Sequence, residues 1–149
     1  MVETTSEMAA GSVLLVEDHE MARRSIRSLL SCDSSLTVIS EIMDGEEAVK
    51  VALASRPDII LMDISLPSMS GIQAAKRIRE GWPQARIIFL SQHDSLPIVR
   101  DALSMGAEGY VVKSDAGHDL LQAIREAREG RRYVSRTLRS AKLELSSKL

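Results

Sequence analysis

Five side chains of complementary chemistry each follow a short apolar run in this chain. They are the carboxylates of Glu17, Asp18 and Asp63, the hydroxyl of Ser91 and the ammonium of Lys113. A single acid after a strand is most often a helix cap. Caps, however, have no use for a lysine and a hydroxyl on the same edge. Three carboxylates brought together repel one another and raise each other's pKa values unless a cation neutralises them. Hard oxygen ligands without His or Cys suit Mg²⁺, which keeps several waters and binds beside phosphate oxygens. A carboxylate nucleophile, a hard divalent ion, a hydroxyl and a lysine make up a phosphoryl-transfer set, in which the cations neutralise the oxygens of the transferring group.

The elements that position these groups are legible from two alternating periods. Apolar runs of strand length occur at Val13–Val16, Val38–Ile42, Ile59–Met62, Ile87–Leu90 and Tyr110–Val112. Between them lie helical stretches with apolar residues three and four apart, marked by Ile26, Leu29 and Leu30, then Ala48, Val51 and Ala52. Ile72, Ala75 and Ile78 mark the third, Val99, Ala102 and Leu103 the fourth, and Leu120, Leu121 and Ile124 the fifth. Turn signals at Asp44-Gly45, Pro57-Asp58, Pro67, Gly81-Trp82-Pro83, Gly106 and Gly130 separate them. Alternating strands and helices predict an α/β fold with a parallel sheet covered on both faces. In such sheets functional groups collect beyond the carboxyl ends of the strands, where the strand order reverses.

Composition bounds the function. The 149 residues are 44% hydrophobic and 27% charged, with a formal charge of −2, which fits one globular domain rather than a disordered chain or a dedicated nucleic-acid binder. Only 3% are aromatic, so base-stacking platforms are not expected. The lone Cys32, read as a buried or neutral thiol, has no partner for a disulfide, and a reducing, cytoplasmic setting fits it. No apolar run reaches the roughly 18–20 residues of a membrane span, so no membrane partner is expected. Residues 131–149 carry six Lys and Arg against Glu144 alone, and read as a basic tail after an acidic body.

The motifs VLLVEDH, IILMDISLPSMSG, FLSQHD and AEGYVVKSD resemble those of the receiver domain of two-component response regulators, of the NarL/FixJ (LuxR) type. The resemblance spans residues 12–130, between an N-terminal tail (1–11) and the basic tail or start of a linker (131–149). It implies a flavodoxin-like, doubly wound sheet of five parallel strands in the order 2-1-3-4-5. It further implies that Asp63 accepts a phosphoryl group from a sensor histidine kinase. Glu17, Asp18, Asp63 and the backbone carbonyl of Ser65 would hold Mg²⁺, with Ser91 and Lys113 stabilising the phosphate. Ser91 and Tyr110 would then switch the face made by the fourth helix, fifth strand and fifth helix. The resemblance allows a homodimer on phosphorylation, through that face or through the first and fifth helices. It also implies DNA contact only through an output domain that this chain does not hold, so that the chain is either a stand-alone receiver or a piece of a longer regulator.

Departures from the family pattern are informative. Gln92 stands where the residue after the hydroxyl is usually small, and Ser114 where Pro often follows the lysine. Gln92 and His93 are therefore candidates for tuning phosphate access and lifetime. His19 is read as the surface start of a helix, since Mg²⁺ prefers oxygen. Two competing functions fit less well. An aspartate-nucleophile phosphatase needs an acid two residues after the nucleophile, where Ser65 stands. A flavin carrier needs a phosphate loop after the first strand, where Glu17-Asp18 would repel the ligand. The expectation is a phosphoacceptor rather than an enzyme acting on a separate substrate.

Overall fold

The apolar runs become strands of a single sheet in the computed structural model, which describes residues 11–138. The order along the chain is β1 (Ser12–Val16), α1 (Glu20–Leu30), β2 (Thr37–Ile42), α2 (Gly45–Ser55), β3 (Ile59–Asp63), α3 (Gly71–Gly81), β4 (Ile87–Ser91), α4 (Leu96–Ser104) and β5 (Gly109–Val112). A 3₁₀ turn (Lys113–Asp115), α5 (Ala116–Arg128), β6 (Tyr133–Val134) and a second 3₁₀ turn (Arg136–Leu138) complete it. All strands are parallel, in the order β2-β1-β3-β4-β5-β6.

Alternation along the strands builds two cores. Leu14, Val16, Ile60, Met62, Ile87, Phe89 and Tyr110 pack on one face with Ala48, Ala52, Ile72, Ala75, Ile78, Val99 and Leu103 of α2, α3 and α4. Val13, Leu15, Ile59, Leu61, Ile88, Leu90 and Val111 pack on the other with Ile26 and Leu30 of α1 and with Leu120, Ala123, Ile124 and Ala127 of α5. Central strands buried on both faces explain why β1, β3 and β4 read as continuous apolar runs. The edge strand β2 is partly exposed and carries Thr37, Ser40 and Glu41.

The expected strand order 2-1-3-4-5 is present, and among the described residues a sixth strand, β6, extends it. Two other expectations need correction. Residues 131–138, expected as part of a basic tail or the start of a linker, are bound to the sheet edge, and residues 139–149 lie outside the described residues. Tyr133 N donates to Glu108 O (2.9 Å) and Ser135 N to Tyr110 O (2.8 Å), while Tyr133 and Val134 bury their side chains in opposite cores. Cys32 is exposed, because it lies past the end of α1 with its Sγ directed at Ser28 O (3.7 Å). Residues 1–10 of the expected N-terminal tail also lie outside the described residues. Gly11 is buried and donates its N–H to Asp58 Oδ2 (3.1 Å).

The loop after β3 folds back tightly onto the strand that carries Asp63. Gly71 N donates to Ile64 O (2.7 Å), and a Cβ at Gly71 would lie 1.9 Å from Asp63 O. By contrast, a Cβ at Gly117, on the surface of α5, would meet nothing within 4 Å. Gly71→Ala is therefore expected to destabilise by roughly 2–4 kcal/mol. Gly117→Ala should instead stabilise by about 0.5–1 kcal/mol through helix propensity. Urea unfolding of the two variants checks the pair of signs.

Candidate functional site

Strand register brings the acids together. Val16 of β1 is paired with Met62 of β3, which puts Glu17 level with Asp63. Ser91 ends β4 opposite Val112 of β5, so Lys113 emerges one residue beyond. All lie at the carboxyl edge of the sheet, around the β1–β3 boundary where the strand order reverses. One oxygen from each of Glu17, Asp18 and Asp63 lies within 4.8 Å of the others. Capping does not explain them. His19 is the N-cap residue of α1, and the Ser70 side chain caps α3 by accepting from Gln73 N (3.2 Å).

The cluster is held by few cations. Lys113 Nζ lies 2.6 Å from Glu17 Oε1 and 3.2 Å from Asp63 Oδ2. Glu17 Oε2 accepts His19 N (3.0 Å), and Asp63 Oδ1 accepts Ser65 N (3.3 Å). Asp18 Oδ1 is buried with no hydrogen-bond partner. Burial, with the Glu17 charge added, pushes the Asp63 carboxyl up to about 6 against the opposing pull of Lys113. Burial also disfavours the charged ammonium, but Glu17 and Asp63 outweigh it and hold Lys113 above the ordinary lysine value. One ammonium among three carboxylates leaves the site short of positive charge. An unpartnered buried carboxylate oxygen beside two others, all hard donors, fits a divalent cation such as Mg²⁺.

The structure places Ser91 and Tyr110 in one connected group with His93. Ser91 and Tyr110 are both fully buried. Ser91 Oγ accepts His93 N (2.9 Å), and Tyr110 Oη donates to His93 O (2.8 Å). The His93 ring reaches back across the site, with Nε2 3.0 Å from Ser65 Oγ. His19, Asp63, Ser65, Gln92 and His93 line a cavity of about 170 Å³ open to solvent. Of the residues singled out in the sequence, Glu17, Asp18, Asp63 and Lys113 form the acid–ammonium cluster. Ser65, Gln92 and His93 line the cavity beside it, and Ser91 and Tyr110 lie buried behind, bonded to the His93 backbone.

Sequence reasoning missed Arg23. Its guanidinium donates to the backbone carbonyls of Glu17 and Asp18, both at 3.2 Å, and so pins the acidic pair from the first turns of α1. In the sequence it is one of two adjacent arginines on a charged helix face, which carries no signal of that role. The side-chain bond between Ser65 and His93 was equally unreadable, since it joins two loops 28 residues apart.

The fold and this edge define a class, and the match to known proteins agrees with it. Residues 13–125 match the response regulator receiver domain family, and the chain belongs to it, as a receiver domain of the LuxR-family response regulators. It is 36% identical over 124 residues to the response regulator UvrY of Escherichia coli O6:H1, covering 83% of this chain and 57% of that protein. It is 33% identical to the nitrate/nitrite response regulator protein NarL of Escherichia coli K12, over 89% of this chain and 62% of NarL. The chain thus spans little more than half the length of these curated relatives. A crystal structure of a LuxR-family two-component response regulator from Aurantimonas sp. SI85-9A1 superposes with a TM-score of 0.85 at 32% identity, covering 93% of this chain and 97% of that one.

The raised carboxyl of Asp63 gives a pH signature of the metal-free protein. A carboxyl whose folded pKa lies above its ordinary value of 3.8 favours the neutral form. Its contribution to stability is complete below that value and is lost as the pH rises through about 6. Asp63→Asn removes this loss. The variant should be more stable than wild type at pH 7 by on the order of 2–3 kcal/mol, with the gap closing toward pH 4. Denaturant melts across that range in a chelating buffer measure it.

Proposed function

We propose that this receiver takes a phosphoryl group from a sensor histidine kinase onto Asp63 and passes the change to the α4–β5–α5 face. The observation that carries the reading is the Asp63 carboxylate lining a cavity, beside two further acids and 3.2 Å from the Lys113 ammonium. Attack by an Asp63 oxygen forms the O–P bond as the bond from phosphorus to the donor nitrogen breaks. Lys113, already paired with Asp63, stays within reach of an oxygen of the incoming group and offsets its charge. Glu17, Asp18, Asp63 and the Ser65 carbonyl would hold Mg²⁺, which supplies the positive charge that Lys113 alone does not. Asp63 must be ionised to act as nucleophile, and its pKa of about 6 leaves it so at neutral pH.

The phosphoryl group adds roughly −1.5 to −2 charge and strong acceptor oxygens. Ser91 then turns its hydroxyl from accepting His93 N to donating to a phosphoryl oxygen. The loop that holds Tyr110 Oη through His93 O is thereby loosened, and the ring gains a second packing. The phosphorylated face serves homodimerisation, with the α1–α5 surface as the other route that the family likeness allows. Gln92 and His93, on the wall of the cavity, set how readily donor and hydrolytic water reach Asp63. The output is transcriptional, through a DNA-binding domain of the kind that longer LuxR-type regulators carry, and the setting is the cytoplasm.

Two experiments test the reading. Incubation with acetyl phosphate and Mg²⁺ should add one phosphoryl mass to the wild type and none to Asp63→Asn. An undiminished adduct on the variant would remove Asp63 from the role. Ser91→Ala should still take the phosphoryl mimic beryllofluoride, but NMR shift changes around Tyr110 and α4 should fall well below those of wild type. Equal shifts in both proteins would rule out Ser91 as the link.

A further inference from the structure

The segment after α5 is bound more firmly than a connecting tail requires. It pairs along the edge of β5 through Tyr133 and Val134. Leu138 is buried in the core that contains Val99 and Leu103, and the Arg132 guanidinium donates to Leu103 O (3.3 Å). Two carboxylates of the opening turns of α5 fasten it. Asp115 accepts Ser135 Oγ (2.5 Å) and Thr137 Oγ1 (2.7 Å). Asp119, fully buried, accepts Tyr133 Oη (2.8 Å), Arg136 N (3.0 Å) and the Arg136 guanidinium (3.2 Å). Burial opposes the charge on both acids, but these bonds outweigh it and hold each carboxyl below its ordinary value.

The fastening touches the phosphorylation site at two points. Asp115 ends the 3₁₀ turn that begins with Lys113, whose ammonium pairs with Asp63 and Glu17. Ser135 N donates to the carbonyl of Tyr110, and Ser135 Oγ accepts Val112 N (3.2 Å). A shift of the backbone at Tyr110, Val112 or the turn after Lys113 would therefore pull on these bonds.

We propose that residues 131–138 are a latch across the β5 edge of the α4–β5–α5 face, closed in the unphosphorylated protein and loosened when Asp63 is phosphorylated. The proposal rests on the phosphoacceptor reading above and adds a readout to it. Loosening uncovers the β5 edge. Because coupling is reciprocal, weakening the latch must also favour the phosphorylated form.

Hydrogen–deuterium exchange on the whole chain tests this, with and without Mg²⁺ and beryllofluoride. Peptides covering residues 131–138 should exchange at least about fivefold faster in the loaded wild type, the lower end of ordinary coupling energies. The exposed double substitution Arg136→Ala with Thr137→Ala removes two fastenings and spares the buried carboxylates. It should speed the same peptides without ligand and tighten beryllofluoride binding about fivefold. Unchanged or slower exchange of these peptides in a wild type that protects the loop after Asp63 would overturn the latch alone. No protection of that loop by beryllofluoride would overturn the phosphoacceptor reading and the latch with it. The wild-type comparison stands even if the double variant folds poorly.

Discussion

Like charges held close together are the constraint on which this molecule turns. The parallel register of β1 and β3 leaves Glu17, Asp18 and Asp63 side by side at the point of strand-order reversal. There a single ammonium, Lys113, serves two of them and leaves an oxygen of Asp18 buried and unpartnered. In water such a cluster would disperse. Here strands buried on both faces, the Arg23 bonds to the backbone of the acidic pair and the tight return of the chain at Gly71 hold it in place. The instability is local and is relieved by positive charge, so the site fits a cation.

In the proposed reading the rest of the structure keeps the response to phosphorylation directional. Ser91, His93 and Tyr110 share one chain of hydrogen bonds behind the cavity, so a change of partner at the hydroxyl would reach a fully buried ring. Densely packed interiors rearrange between discrete packings rather than bending by degrees. On the same proposed reading Lys113 opens a second route, through the turn that carries Asp115 toward the C-terminal segment, and both routes meet at the β5 edge. A ligand can shift the balance there only as far as it prefers one arrangement to the other.

Much of this was readable in the sequence because it is local. Buried parallel strands write themselves as apolar runs, and the residues that follow them are fixed at the carboxyl edge. The sequence alone thus groups Glu17, Asp18, Asp63, Ser91 and Lys113. What escaped was non-local or short. β6 is two residues long, too brief for periodicity, and its partner Asp119 looks like any acid near a helix start. The exposure of Cys32 depends on where α1 stops. The Ser65–His93 bond and the grip of Arg23 on the acidic pair depend on loop geometry, and composition does not encode it.

A calorimetric titration with Mg²⁺ at pH 7, on wild type and on Asp18→Ala, addresses the cluster most directly. If the three carboxylates are held together for a cation, wild type binds one Mg²⁺ per chain. Asp18→Ala, which removes the unpartnered buried oxygen, then loses that binding almost entirely. Equal Mg²⁺ affinity in the two proteins, or no binding to wild type, would contradict the account.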